Sequence, residues 1–143
     1  MTRAAAIKAA ESYFDAGGFA ADLARRVAIP TESQVETSAP VLGAYLGDEI
    51  APTLERLGFE SRIFDNPVKN GPVRGGPILI AERREEGAET TVLGYGHGDV
   101  IRGLEPQWHE GLSPWELTRR GDRLYGRGTA DNKGQHSINM AAL

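Results

Sequence analysis

The chain contains no cysteine among its 143 residues, and this absence narrows the chemistry available to it. Without cysteine there is neither a disulfide framework nor a zinc site built from thiolates. Any metal ion bound by this protein must therefore take its ligands from histidine and carboxylate side chains.

The chain also lacks an excess of positive charge and long apolar segments. Its formal net charge is −4, which argues against nucleic acid as the main partner. No apolar run approaches the roughly 18 residues of a membrane-spanning helix, so we expect no membrane partner. Residues 1–14 have no signal-like apolar core, and we expect a cytoplasmic protein.

The proportions of apolar and charged residues are those of an ordinary globular domain. Forty per cent of the residues are apolar and 25% are charged, and a chain of this length can build one hydrophobic core but not two. The apolar periodicity changes along the chain, from a helical spacing to short strand-like runs and back. This order predicts an α/β domain with a mixed, mostly parallel sheet. The predicted elements are three helices before Gly58, the third interrupted at Pro52, strands at 59–65, 77–83 and 91–97, a hairpin around Gly121, and a helix from Asp131.

The first stretch that carries chemistry is "GYGHGDV", residues 94–100. His97 and Asp99 lie at the end of a predicted buried strand and share one side of it, where ligands collect in open α/β sheets. Gly96 and Gly98 would let a metal or substrate approach the backbone. His97 could bind a metal through one ring nitrogen while Asp99 orients the other. The alternative is a turn aspartate beside a structural histidine.

The second stretch is "YGRGTADNKG", residues 125–134. It places Asp131 near the start of a helix, where free N–H groups would keep the carboxylate ionised and able to bind one metal or bridge two. The alternative is an ordinary N-cap aspartate. His136 follows on the same helix and could face the site, although a histidine packed on, or exposed from, the helix is the simpler explanation.

Together these stretches, with Trp108 and the "PW" pair at 114–115 between them, resemble the N-terminal catalytic half of one metallopeptidase family. It is the di-zinc family of aminoacylases, glutamate carboxypeptidases, acetylornithine deacetylases, succinyl-diaminopimelate desuccinylases and carnosinase-like dipeptidases. The dense resemblance covers residues 91–135. It implies a three-layer αβα zinc-peptidase-like domain, of which residues 1–143 are the N-terminal portion. The chain stops inside a predicted helix, so we expect the rest of the catalytic domain and a lid or dimerisation domain beyond it.

The resemblance also implies a cofactor and a role for each candidate residue. Two zinc ions are expected, with cobalt or manganese as substitutes. His97 would bind one zinc, Asp131 would bridge both, and Asp99 would orient His97. The peptide bond between Asp131 and Asn132 falls where family members often have a cis bond. The glutamate general base and the remaining ligands would lie beyond Leu143.

The function implied is that of a metallopeptidase or N-acyl amino acid deacylase, cleaving an amide bond in a small peptide or acylated amino acid. A homodimer is expected for the full-length protein, and no activity for residues 1–143 alone. Two alternatives remain: a non-catalytic truncated or interaction chain that keeps the fold, and a single-metal module using His97 and Asp131. Residues 101–103 replace the proline that usually follows the first motif, which leaves the substrate open.

Overall fold

The computed structural model describes residues 2–68 and 75–143. In these two segments helices come first, four short strands follow, and a helix comes last, and this mixture of helices and strands confirms the predicted α/β class. The helices are α1 (Arg3–Asp15), α2 (Gly18–Val27), α3 (Ala39–Ala44), α4 (Ala51–Arg56) and α5 (Lys133–Ala141), with a π-helical turn at Tyr45–Ile50 and 3-10 turns at Glu36–Ser38 and Glu105–Gln107. The strands are β1 (Glu60–Phe64), β2 (Ile78–Glu82), β3 (Thr118–Arg120) and β4 (Arg123–Tyr125).

The first two helices differ in how much of their surface they bury. Gly17 separates them with a φ of +81°, a left-handed conformation that glycine adopts without strain. Helix α2 buries Leu23 and Val27 on one face, as its apolar spacing predicts. Helix α1 buries no residue. Helix α2 therefore anchors the N-terminal region to the core.

The predicted interruption at Pro52 takes the form of a π-helical turn. Helix α3, the π turn and α4 follow one another without a loop, and the π turn ends two residues before Pro52. Proline has no N–H to donate to the preceding turn, and a widened turn is one way in which a helix accommodates such a missing bond. The π turn buries Tyr45 and Ile50. Gly58, with a φ of +83°, follows the end of the helix, as predicted.

Each of the two sheets is an antiparallel pair. Strand β1 pairs with β2, with Glu60 opposite Glu82 and Phe64 opposite Ile78. Strands β3 and β4 form the hairpin predicted around Gly121. The strands predicted at 59–65 and 77–83 are thus confirmed, whereas part of the turn predicted between them lies outside the described residues. In the segments that the structure describes, parallel pairing is limited to the isolated bridge between Glu32 and Val100.

The prediction of a buried strand at 91–97 is wrong for this structure. This stretch is in extended or irregular conformation and pairs with no strand among the described residues. Val92 is 87% exposed and Leu93 is 94% exposed. An apolar run predicts a strand only if a neighbouring strand satisfies its N–H and C=O groups, and the described part of the chain offers none here.

The hydrophobic core is small and lies between the π turn and α5. Tyr45, Ile50 and Met140 form its centre. The chain exposes 10219 Å² of surface, whereas a compact protein of its mass exposes roughly 7,200 Å². Much apolar surface is therefore left in contact with solvent. Within residues 2–68 and 75–143, no helix combines the length and apolar character needed to cross a membrane.

Candidate metal centre

The three predicted site residues meet in the structure. His97 lies between two carboxylates, one on each ring nitrogen. Its Nδ1 is 3.1 Å from Oδ1 of Asp99 and 3.1 Å from the backbone oxygen of the same residue. Its Nε2 is 3.0 Å from Oδ1 of Asp131. His97 lies in the loop after residues 91–96, and Asp131 lies just before α5. Although 34 positions separate them in the sequence, the two residues form one site.

The electrostatics of this site favour a positive charge. Partial burial lowers the pKa of His97, but the hydrogen bonds with Asp131 and Asp99 and the charges of both carboxylates outweigh it, so the pKa lies above its ordinary value. The same negative environment that stabilises an imidazolium also suits a metal cation. The Asp131 side chain is 81% exposed, so a ligand can reach its oxygens from solvent.

The donor atoms fit part of a metal site. Nδ1 faces two oxygens of Asp99 and carries a hydrogen, whereas Nε2 faces the Asp131 carboxylate, where a metal ion could replace the proton that Nε2 shares with it. Asp99 contacts the ring nitrogen opposite the one that faces Asp131, so it is placed to orient the imidazole. Among the described residues, no group of three or more histidine or carboxylate side chains is arranged so that it could hold a metal ion. The site therefore offers a pair of ligands, whereas structural zinc has four.

Asp131 does not act as the predicted N-terminal group of the helix. The N-cap of α5 is Asn132, and no side-chain cap bond forms there. The backbone N–H of Gly134, in the first turn, donates instead to the carbonyl oxygen of Gly128 at 3.1 Å. The Asp131 carboxylate is consequently turned toward His97 rather than toward the helix. The peptide bond between Asp131 and Asn132 is cis, as the resemblance implies.

The two glycines beside His97 have a different role from the predicted one. A Cβ on Gly96 would lie 2.6 Å from Cβ of His136, and a Cβ on Gly98 would lie 2.3 Å from the ring of Tyr45. Both distances are shorter than any real Cβ contact. The space that we assigned to a metal or substrate is occupied at both glycines by buried side chains of the protein itself.

Backbone hydrogen bonds of the kind found between strands link the loop that contains His97 to residues 31–33. Val100 N–H donates to the carbonyl of Thr31 at 2.8 Å, and Ser33 N–H donates to the carbonyl of Val100 at 3.0 Å. The Thr31 hydroxyl donates to the carbonyl oxygen of Gly98. The segment after α2 thus fixes the backbone on the C-terminal side of His97. Sequence reasoning missed this contact, because nothing in the local pattern pairs residues that are so far apart.

The remaining aromatic and basic candidates pack around the hairpin. Trp108 Nε1–H donates to the carbonyl of Gly103 at 2.8 Å, and the Arg127 guanidinium lies over the Trp108 ring at 5.3 Å. His109 is exposed in the adjoining loop. Trp108 and Arg127 thus pack on each other and on the backbone of Gly103.

The contact at Gly98 leads to a stability prediction. Gly98→Ala would push a methyl group into the buried ring of Tyr45, and we expect a loss of about 2 kcal/mol in the free energy of unfolding, typical of overpacking. Gly94→Ala is the matched control, because nothing lies within 4 Å of its Cβ position. Urea denaturation of both variants checks the difference, and equal stabilities would show that the Tyr45 ring moves freely.

A mixed α/β fold that presents an exposed histidine–carboxylate pair is of the kind found in metallopeptidases. Residues 93–143 match the family model described as Peptidase family M20/M25/M40. The resemblance predicted from the two motifs is therefore confirmed.

Individual relatives agree with this match. The chain is 37% identical over 110 residues to succinyl-diaminopimelate desuccinylase of Novosphingobium aromaticivorans, covering 73% of this chain and 26% of that protein. It is 29% identical over 119 residues to the Cys-Gly metallodipeptidase of Candida albicans, covering 78% of this chain and 24% of that protein. The chain thus spans about a quarter of the length of these curated relatives.

The fold is also shared with a solved structure. Human carnosine dipeptidase 1 superposes with a TM-score of 0.76 at 30% sequence identity. The superposition covers 94% of this chain and 30% of the human protein. The described architecture therefore corresponds to part of the longer human protein.

Proposed function

We propose that residues 1–143 form the N-terminal part of the catalytic domain of a metal-dependent hydrolase. Its substrate would be a small peptide or an N-acyl amino acid, cleaved at an amide bond. One observation carries the proposal: Nε2 of His97 and Oδ1 of Asp131 lie 3.0 Å apart, while Asp99 holds the opposite ring nitrogen. The similarity to a dipeptidase and a desuccinylase supports the class of substrate.

Each of the three residues has a distinct task in this proposal. Asp99 accepts the Nδ1 hydrogen of His97 and would so keep Nε2 as the nitrogen that binds a metal. His97 would bind one zinc ion, and the exposed Asp131 carboxylate, with two oxygens, would bridge two. When bound, the metal ions supply polarisation of the amide carbonyl and activation of water.

The proposal requires residues that the described segments do not supply. Two protein ligands do not complete a catalytic zinc site, which has three in addition to water or substrate. Within the described segments, no third histidine or carboxylate completes a group with this pair that could hold a metal ion. The general base and the other ligands would come from a protein of the relatives' length. Residues 1–143 alone are therefore expected to bind zinc weakly and to hydrolyse nothing.

Zinc titration and hydrolysis assays test this proposal with one matched pair of variants. In the 143-residue chain, we expect weak zinc binding that disappears in His97→Ala and persists in His109→Ala, since His109 is an exposed loop histidine away from both carboxylates. In a protein of the relatives' length that carries these residues, hydrolysis of dipeptides or N-acyl amino acids should be lost in His97→Ala and retained in His109→Ala.

Two results would overturn the proposal. Tight, stoichiometric zinc binding by the 143-residue chain would favour the single-metal module. A metal-loaded protein of the relatives' length that hydrolysed neither class of substrate would favour a non-catalytic chain that retains the fold.

A further inference from the structure

A chain of buried hydrogen bonds lies directly behind His97. The Tyr45 hydroxyl is 2.7 Å from Nε2 of His136. On the other side of the imidazole, Nδ1 of His136 is 3.3 Å from Oδ1 of Asn132. The same Oδ1 accepts the backbone N–H of His97 at 3.2 Å. Tyr45, His136 and Asn132 are all buried, and together we call them the Tyr45 network.

The hydrogen positions in the Tyr45 network follow from its one fixed donor. The backbone N–H of His97 can only donate, so the Asn132 atom that faces it is the amide oxygen. Nδ1 of His136 faces the same oxygen and must carry a hydrogen. Nε2 is then the acceptor in a neutral imidazole, and the Tyr45 hydroxyl donates to it. The network therefore has one direction, from Tyr45 through His136 to Asn132.

Burial keeps this arrangement uncharged. It lowers the pKa of His136 to about 4 and raises the pKa of Tyr45 well above its ordinary value. Both side chains are thus neutral at neutral pH, as the donor–acceptor order requires. Each ring nitrogen of His136 has a partner, so no buried polar group in the imidazole is left unsatisfied.

The same two rings also fill the space at the glycines on either side of His97. His136 packs against Gly96 and Tyr45 packs against Gly98, at distances that exclude a side chain at either position. The backbone of residues 96–98 is thus held by packing at both glycines and by a hydrogen bond at His97 between them.

We propose that Tyr45 and His136 are positioning residues for His97, acting through the Asn132 amide and through the two glycines. If His97 is a metal ligand, as the proposed function requires, the Tyr45 network fixes the backbone from which its imidazole reaches toward Asp131. The packing of Tyr45 and His136 alone would explain their burial. It does not explain why each polar atom on this path is paired, with Nδ1 of His136 and the backbone N–H of His97 both donating to Oδ1 of Asn132.

The tautomer of His136 is the first test, and it needs neither metal nor substrate. In the 143-residue chain labelled with ¹⁵N, long-range correlation spectra should show the hydrogen of His136 on Nδ1. Tyr45→Phe keeps the ring against Gly98 and removes only the hydroxyl. This variant should change the chemical shifts of both the His136 ring nitrogens and the backbone amide of His97. A hydrogen on Nε2 in the unsubstituted chain would overturn the proposal.

Tyr13→Phe is the matched control. It removes a hydroxyl that donates to Asp22 at 2.6 Å between α1 and α2, outside the Tyr45 network. The resonances of His97 and His136 should stay in place in this variant. If Tyr45→Phe moved them no more than Tyr13→Phe does, the hydroxyl would have no positioning role and the proposal would fail.

Zinc titration followed at the His97 resonances separates this proposal from the proposed function. Tyr45→Phe should weaken zinc binding up to about tenfold, the lower end of what loss of an outer-shell partner costs a metal site, while Tyr13→Phe should leave it unchanged. An unaltered zinc affinity in Tyr45→Phe would contradict the positioning role. Failure of a metal-loaded protein of the relatives' length to hydrolyse either class of substrate would contradict the proposed function, while the tautomer and amide shifts would still decide the network.

Discussion

Gly134→Ala is expected to destabilise the chain by about 3 kcal/mol or more, at the upper end of the cost of overpacking. Gly134 lies in the first turn of α5, against the loop that precedes Asp131. A Cβ at this position would lie 1.9 Å from the carbonyl oxygen of Thr129 and 3.0 Å from its carbonyl carbon. A backbone group cannot rotate away as a side chain can, so the loop or the helix must move.

The matched control for this variant is Gly43→Ala. Gly43 is also helical, in α3, but nothing lies within 4 Å of its Cβ position. Alanine there should stabilise the chain by about 0.5 to 1 kcal/mol, because glycine loses more backbone entropy in a helix. Urea denaturation of both variants measures the difference. A Gly134→Ala variant as stable as the unsubstituted chain would show that the loop and α5 are not in rigid contact.

The stretch that ends at Gly134 shows which parts of the site can be predicted from the sequence alone. The "DNKG" stretch predicts the helix and the nearby carboxylate, because the motif is read from consecutive residues. His97, Asp99 and Asp131 could be brought together only through the resemblance, since 34 positions separate His97 from Asp131. The structure places the two side chains in contact. Their roles as metal ligands stay predictions.

The features that the sequence did not predict all depend on distant partners. Tyr45 reaches His136 across 91 positions, and Thr31 reaches Gly98 across 67. No periodicity signals such pairs. The wrong prediction of a strand at 91–97 has the same origin, because an apolar run indicates the tendency to pair and not the presence of a partner. The helices and the β3–β4 hairpin were predicted well since their hydrogen bonds are local.

A buried cation joins three helical segments of this fold. The Arg26 side chain is 1% exposed. Its Nε–H donates to Glu49 in the π turn at 3.1 Å, and its Nη1 donates to the Ser137 hydroxyl in α5 at 2.6 Å. Its backbone carbonyl accepts a hydrogen bond from Nζ of Lys133, which is also buried. Arg26 is therefore part of the contact between α2 and the helix that follows Asp131.

Arg26→Met should cost about 3 kcal/mol, the lower end of the loss caused by removing one partner of a buried ion pair. We expect the lower end because Glu49 keeps a second partner, Arg25, at 3.3 Å. Methionine replaces much of the buried volume, so the cost reflects the lost hydrogen bonds and charge more than an empty cavity. The Ser137 hydroxyl still donates to the carbonyl of Lys133 within α5.

Arg25→Met is the control that separates burial from charge. Arg25 is the preceding residue of the same helix and is near the same two acids, Asp22 and Glu49, but its side chain is 48% exposed. Its loss should cost less than about 1 kcal/mol, as is usual for exposed ion pairs. Both variants change the net charge equally, so their unfolding free energies in urea can be compared directly. Equal costs would mean that α2 and α5 are held by apolar packing alone, and that the buried arginine contributes nothing to placing the helix beside the site.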